Sequence, residues 1–183
     1  SLIVYDFDGT LVDTLFDIAD AVNLSLNELG LRTLSRATIR KYVGKGVERL
    51  MAQSINDTGY FDLPRAVELF RKHYSENLMN HTQFYPFGRD ILDHFHDKKQ
   101  AICSNKPEDF VRRILQSLES LDCFDAILGG DSLGSKKPDP EGLLYLLDRF
   151  QCSPELAVVV GDSPVDIEMG KRAGVYTCVV NYG

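Results

Sequence analysis

The sequence contains five short apolar runs, and each ends at or directly before a polar residue or glycine. The runs are LIVY at 2–5, AICS at 101–104, FDAIL at 124–128, LAVVV at 156–160 and VYTCVV at 175–180. The clearest of them are apolar throughout, which predicts strands covered on both faces, as in a parallel sheet. Stretches of helical periodicity separate the later runs, and one of them brings Phe110, Ile114 and Leu118 to one face. The sequence therefore predicts an α/β fold built on a doubly wound parallel sheet.

The β/α alternation is interrupted between residues 14 and 82, where only helical signals occur. Thr14 and Asp17 have the spacing of a capping box at the start of a first helix. Ser35 can cap a second helix, and Pro64 can open a later one. We therefore predict a small helical domain inserted after the first strand.

This reading divides the chain into an α/β core, residues 1–13 and 83–183, and a helical insertion, residues 14–82. A length of 183 residues suits one core domain with an insertion. The formal charge of -7 argues against binding to nucleic acid or to an anionic membrane. Four scattered cysteines without metal-ligand spacing indicate reduced thiols, so we expect a cytoplasmic protein.

Polar clusters follow the predicted strands. Asp6 and Asp8 follow the first strand, Ser104 and Asn105 end the second, and the segment 161–166 (GDSPVD) follows the fourth. In an open parallel sheet, ligands bind beyond the carboxyl ends of the strands. We therefore expect these groups to share one edge of the sheet.

The residue types at this edge are complementary. Asp6, Asp8, Asp162 and Asp166 form an oxygen-rich set of the kind that binds Mg²⁺ together with waters and a substrate phosphate. Lys137, which lies between the third strand and the next helix, supplies a positive charge, and the Ser104 hydroxyl supplies a hydrogen bond. These two groups suit a dianionic phosphate better than a neutral substrate.

Four motifs in this order, DFDGT, SN, KKP and GDSPVD, resemble the signature motifs of the haloacid dehalogenase (HAD) superfamily. The insertion is similar to the small helical cap of that superfamily, and the resemblance implies a Rossmann-like, HAD-like core. The segments YVGKGVERL, SNKP and GGDSLGSKKPDP are similar to the phosphoglycolate phosphatase branch.

The resemblance implies a role for each acid. Asp6 would be the nucleophile that forms an aspartyl phosphate and would also bind Mg²⁺. Asp8 would be the general acid and base, and its backbone carbonyl would be a metal ligand. Asp162 would be the metal ligand of the last motif, and Asp166 would order a metal-bound water.

The resemblance also implies how the transferring phosphoryl group is held. Its oxygens would be bound by Ser104, by Lys137, and by the backbone amides of Gly9, Thr10 and Asn105. In the insertion, Gly44, Lys45 and Gly46 form either a simple turn between helices or a contact for a substrate carboxylate.

The predicted function is that of a Mg²⁺-dependent phosphatase acting on a small phosphorylated metabolite, with 2-phosphoglycolate favoured by the resemblance. Asp8 argues against a haloacid substrate, because the dehalogenases of the superfamily lack this second acid. A sugar phosphomutase, a pyrophosphatase and a non-catalytic phosphate-binding module remain as alternatives.

Overall fold

The protein is described here by a computed structural model that covers residues 1–183. The chain divides into two compact units, one formed by Ser1–Asp13 and Gln83–Gly183 and the other by Thr14–Thr82. None of the helices is both long enough and apolar enough to span a lipid bilayer.

The first unit contains a five-stranded parallel sheet and a small antiparallel ribbon. Its strands are β1 (Leu2–Tyr5), β2 (Val12–Asp13), β3 (Gln83–Phe84), β4 (Lys99–Cys103), β5 (Ala126–Leu128), β6 (Ala157–Gly161) and β7 (Tyr176–Val179). The parallel sheet has the order β5-β4-β1-β6-β7, and β2 pairs with β3. The chain crosses from one side of β1 to the other between β5 and β6, so the central strand lies beside a switch point where ligands of such sheets bind.

Eight α-helices complete the two units. The second unit contains α1 (Leu15–Glu28), α2 (Arg36–Arg40), α3 (Val47–Ile55) and α4 (Leu63–Asn77). The first unit contains α5 (Gly88–His94), α6 (Glu108–Ser117), α7 (Glu141–Arg149) and α8 (Pro164–Ala173), together with two short 3₁₀ turns. The predicted α/β fold class is confirmed.

Burial explains why the central strand is apolar at every position. All four residues of β1 are buried, and Val4 pairs with Ala101 on one side and Val159 on the other. The last strand differs from the expectation of cover on both faces. It lies at the sheet edge, and its Tyr176 and Val179 are exposed.

The helical unit has its own core, and buried residues of all four helices contribute to it, among them Leu26, Ile39, Met51 and Phe70. The Ser35 hydroxyl accepts a hydrogen bond from the amide of Thr38 and caps α2, as predicted.

The predicted capping box at Thr14 is wrong. The Thr14 side chain makes no capping hydrogen bond to α1, and the Asp17 carboxylate binds the far end of the insertion instead. It accepts hydrogen bonds from the amides of His81 and Thr82 and from the Thr82 hydroxyl at 2.7–3.0 Å. Asp17, which its local spacing assigned to a helix cap, therefore makes a long-range contact within the insertion instead.

Candidate active site

The sheet brings the polar clusters together because its ladder continues one residue beyond the strands. The amide of Asp6 donates to the carbonyl of Val160 at 2.8 Å, which joins the ends of β1 and β6. The amide of Ser104 donates to the carbonyl of Leu128 at 3.0 Å, which joins the ends of β4 and β5. The side chains that follow β1, β4 and β6 thus project from the same edge of the sheet.

Three of the predicted acids form a compact cluster. Asp6, Asp162 and Asp166 each place a carboxylate oxygen within 4.8 Å of the others. Burial raises the pKa of Asp162, and the Asp166 carboxylate adds to this shift. Carboxylates that crowd each other at such distances favour protonation or a bound cation. The donor set, all hard oxygen, fits Mg²⁺.

Lys137 contacts two of these three acids. Its Nζ is 2.7 Å from Oδ1 of Asp6 and 2.7 Å from Oδ1 of Asp166. Burial disfavours the charge on Lys137, but the two carboxylates outweigh burial and raise its pKa above the ordinary value. The lysine is therefore a fixed ammonium group, which suits the binding of phosphoryl oxygens.

The carboxyl group of Asp6 is strongly perturbed. Its pKa is raised to about 7, first by burial and then by the Asp166 carboxylate, against the opposing effect of Lys137. Its Oδ1 accepts hydrogen bonds from Lys137 and from the amide of Phe7 at 2.6 Å. Two donors on one oxygen fix the orientation of this carboxylate.

Asp166 is held by the helix that carries it. It is the third residue of α8, and its carboxylate accepts hydrogen bonds from the amide and hydroxyl of Ser163 in a capping box. The reciprocal bond of the box runs from the Asp166 amide to the Ser163 side chain, and the same amide also donates to the Ser163 carbonyl at 3.2 Å. The start of α8 therefore fixes the acid that pairs with Lys137.

The loop after β1 makes most of its hydrogen bonds within itself. The amide of Gly9 donates to the carbonyl of Val12 at 3.1 Å, and the amide of Thr10 donates to the carbonyl of Phe7 at 3.4 Å. Both amides thus have partners in this structure, and their role as phosphate donors stays a prediction. The Thr10 hydroxyl donates to Oδ1 of Asp162 at 3.3 Å, which ties the loop to the acid cluster.

Gly9 has a conformational requirement and a steric one. Its φ of 83° lies in the left-handed region that glycine tolerates best. A Cβ atom at this position would lie 2.7 Å from Oδ2 of Asp162. Glycine at this position therefore allows the loop backbone to approach Asp162, a candidate metal ligand.

Ser104 and Asn105 are both buried at the end of β4. The Asn105 side chain donates to the carbonyl of Lys137 at 3.1 Å and accepts from its amide at 2.8 Å. This pair of bonds fixes the peptide from which the Lys137 side chain extends. The Ser104 hydroxyl accepts a hydrogen bond from the amide of Lys106 at 3.3 Å.

Asp8 is paired with a lysine that sequence reasoning did not assign. The Nζ of Lys106 lies 2.8 Å from Oδ1 of Asp8. Lys106 belongs to the quoted segment SNKP, but its partner is 98 residues away in the chain. The only signal for it in the sequence is its position directly after the polar end of a predicted strand.

Gly44, Lys45 and Gly46 lie in the helical unit, between α2 and α3. Both glycines have positive φ angles, 98° and 86°, and Gly46 precedes the first residue of α3. Lys45 is exposed. The segment is a helix-to-helix turn, and its contact with a substrate stays a prediction.

Comparison with known proteins agrees with this fold. The family model described as haloacid dehalogenase-like hydrolase matches residues 3–180. The chain therefore belongs to the haloacid dehalogenase-like hydrolase family.

Individual relatives are more specific. A phosphoglycolate phosphatase of Aquifex aeolicus is 41% identical over 184 residues, covering 100% of this chain and 85% of the relative. A phosphoglycolate phosphatase of Nitrosospira multiformis is 39% identical over 190 residues, covering 99% of this chain and 83% of the relative. The crystal structure of a predicted phosphoglycolate phosphatase from Haemophilus somnus superposes with a TM-score of 0.94 at 30% sequence identity. The match covers 100% of this chain and 85% of that structure's chain. The predicted superfamily, its phosphoglycolate phosphatase-like branch and the enzyme class, a phosphoric monoester hydrolase, are confirmed.

Proposed function

We propose that the protein is a Mg²⁺-dependent phosphatase that hydrolyses 2-phosphoglycolate through an aspartyl phosphate on Asp6. The observation that carries the proposal is the cluster of Asp6, Asp162 and Asp166, in which the ammonium group of Lys137 contacts Asp6 and Asp166. The substrate is proposed from the names of the relatives that match nearly the whole chain.

The charges at the site support a divalent cation. Four carboxylates, those of Asp6, Asp8, Asp162 and Asp166, face two ammonium groups, which leaves two negative charges when all are ionised. Asp6, Asp162 and the backbone carbonyl of Asp8 would hold Mg²⁺, with Asp166 orienting a water bound to it. Bound Mg²⁺ would neutralise charge on the transferring phosphoryl group and on its attacker.

The residues of the chain have distinct tasks in the proposed reaction. Asp6 attacks phosphorus from a carboxylate whose orientation is fixed by Lys137 and the Phe7 amide. Asp8 donates a proton to the leaving oxygen and then accepts one from the water that cleaves the intermediate. Lys137 and Ser104 hold the phosphoryl oxygens, so the protein contributes mainly positioning and charge stabilisation.

The helical unit is proposed to act as a cap. Its movement would exclude water from the site during phosphoryl transfer. Lys45, in a turn between two glycines, would contact the carboxylate of the substrate. We also propose a cytoplasmic location, which the four free thiols support.

The test of the nucleophile is the variant Asp6→Asn, assayed with 2-phosphoglycolate and p-nitrophenyl phosphate in Mg²⁺. Turnover should fall by at least about a thousandfold for both substrates, because an amide cannot attack phosphorus. The exposed Asp148→Asn is the matched control and should keep wild-type activity. Acid-quenched wild-type enzyme should carry one phosphoryl group on the peptide that contains Asp6, measured by mass spectrometry. Undiminished turnover of Asp6→Asn would refute the mechanism.

The substrate needs a separate test. A panel of phosphate esters compared by kcat/KM should rank 2-phosphoglycolate above glucose 1-phosphate and pyrophosphate. Removal of Mg²⁺ with a chelator should abolish turnover, and added Mg²⁺ should restore it. Conversion of glucose 1-phosphate to an isomer without release of phosphate would instead indicate a phosphomutase.

A further inference from the structure

Lys106 is a buried cation that has no assigned role in the proposed reaction. Its side chain is 4% exposed, and the Asp8 side chain that it contacts is 13% exposed. Lysine is rarely buried this deeply unless its charge is paired, because removing an ammonium group from water is costly. The contact with Asp8 therefore offsets the cost of burying the Lys106 ammonium group.

The backbone of Lys106 is fixed from two sides. Its amide donates to the Ser104 hydroxyl at 3.3 Å, and its carbonyl accepts from the amide of Gly130 at 2.8 Å. Gly130 has no room for a side chain, because a Cβ there would overlap the carbonyl of Asn105. Two loops at the sheet edge thus set the origin of the lysine side chain, which extends to Oδ1 of Asp8.

The two buried lysines of the site have different partners. Lys137 lies between Asp6 and Asp166, whereas Lys106 contacts Asp8. Replacement of Lys106 therefore leaves the ammonium group beside the nucleophile in place. The effect of replacing Lys106 on Asp8 can therefore be measured separately from any effect on Asp6.

We propose that Lys106 is a positioning residue for Asp8, which holds the Asp8 carboxylate in the orientation needed to reach the leaving-group oxygen. The proposal rests on the proposed function, in which Asp8 hands a proton to that oxygen. The torsion that turns an aspartate carboxylate has a broad energy minimum, so a fixed donor is needed to set its direction. Proton transfer requires a heavy-atom distance of about 2.6–3.2 Å, which a freely turning carboxylate would rarely satisfy.

The leaving group provides a readout that a purely structural role would not alter. An alkoxide such as that of 2-phosphoglycolate leaves poorly without a proton, whereas p-nitrophenolate leaves readily without one. The ratio kcat/KM reports steps up to release of the leaving group and excludes the later hydrolysis of the intermediate. A misplaced Asp8 should therefore reduce kcat/KM for the alkyl ester selectively.

The experiment compares wild type with Lys106→Met on both substrates. For 2-phosphoglycolate, kcat/KM should fall by about 10- to 100-fold, a typical effect of a misplaced proton donor. For p-nitrophenyl phosphate, the same variant should lose less than about threefold. Lys106→Arg should recover part of the loss, because its guanidinium can also donate to Asp8. The exposed Lys98→Met is the matched control and should match wild type on both substrates.

Equal losses on the two substrates, or no loss on either, would overturn the proposal. If Lys106→Met does not fold by circular dichroism, Lys106→Gln gives the same comparison with a neutral side chain. In an Asp8→Asn background, Lys106→Met should cause no further loss with 2-phosphoglycolate, and an additive loss would also contradict a role through Asp8. Failure of the proposed function would appear separately, as absent hydrolysis by wild type or full activity of Asp6→Asn.

Discussion

The ion pairs of Lys137 connect the stability of the fold to the proposed chemistry. Its side chain is 3% exposed and contacts two carboxylates at 2.7 Å, those of Asp6 and Asp166. The substitution Lys137→Met keeps an unbranched side chain of similar length and removes the ammonium group. Two buried carboxylates then face each other without the cation between them.

The expected loss of stability is large on the scale of a folded domain. Removal of one partner of a buried ion pair destabilises a protein by about 3–5 kcal/mol, because it leaves a buried charge unpaired. A domain has a free energy of unfolding of about 5–15 kcal/mol, so Lys137→Met should lose a substantial part of it.

The loss should depend on pH in a defined direction. The pKa of Asp6 is raised to about 7 in the folded protein, from an ordinary value of 3.8. An acid with a raised pKa in the folded state favours folding while it is protonated in that state, and this contribution is lost as pH rises through its folded pKa. Without Lys137 the pKa of Asp6 should rise further. The deficit of Lys137→Met relative to wild type should therefore be larger at pH 8 than at pH 5.

The assay is urea unfolding in the presence of a chelator at both pH values. Lys137→Met is compared with wild type, with the exposed neighbour variant Lys136→Met, and with the double variant Lys137→Met/Asp166→Asn. The double variant should be more stable than Lys137→Met at pH 8, because it removes one of the unpaired charges. A deficit under about 1 kcal/mol for Lys137→Met, which is typical of an exposed pair, would refute the reasoning. An equal deficit at pH 5 and pH 8 would refute it as well.

Three further predictions concern the metal, the loop after β1 and the insertion. Affinity for Mg²⁺, measured by calorimetry, should fall as pH falls from 8 to 5, because protons compete for Asp6 with its pKa of about 7; constant affinity would contradict this. Gly9→Ala should lower kcat/KM by at least about tenfold, since its Cβ would lie 2.7 Å from Oδ2 of Asp162, and wild-type kinetics would contradict it. Asp17→Ala should lower the free energy of unfolding by about 2 kcal/mol or more, because buried donors lose their acceptor, whereas the exposed Asp20→Ala on the same helix should have little effect; equal effects of the two in urea unfolding would contradict this.

The parallel sheet could be predicted because its strands are apolar runs that end at polar residues. Burial on both faces requires such runs, and all four residues of the strand Leu2–Tyr5 are buried. The short ribbon of Val12–Asp13 and Gln83–Phe84 was not predicted. Strands of two residues are too short to show any periodicity, and their pairing depends on where the two ends of the insertion meet.

The side-chain partners of the site were less predictable than the residues themselves. Local spacing assigned Asp17 to a helix cap, but the acid binds donors 64 and 65 residues away. Lys106 in sequence resembles any exposed lysine, and only the fold brings it to Asp8. Such pairings depend on three-dimensional contacts that no local pattern encodes, so they require the structure.

The acids of the site are fixed by the fold despite their mutual repulsion. The Phe7 amide orients Asp6, the Thr10 hydroxyl contacts Asp162, and the capping box with Ser163 holds Asp166. The hydrogen bonds from Phe7 and Thr10 lower the pKa values of Asp6 and Asp162, but burial and the Asp166 carboxylate outweigh them and raise both pKa values.

A site arranged in this way is less stable without a cation than with one. A cation that binds only the folded protein stabilises it in proportion to the logarithm of its concentration above the dissociation constant. Under the proposed function, the geometry that prepares the site for phosphoryl transfer would therefore also make the stability of the fold depend on Mg²⁺.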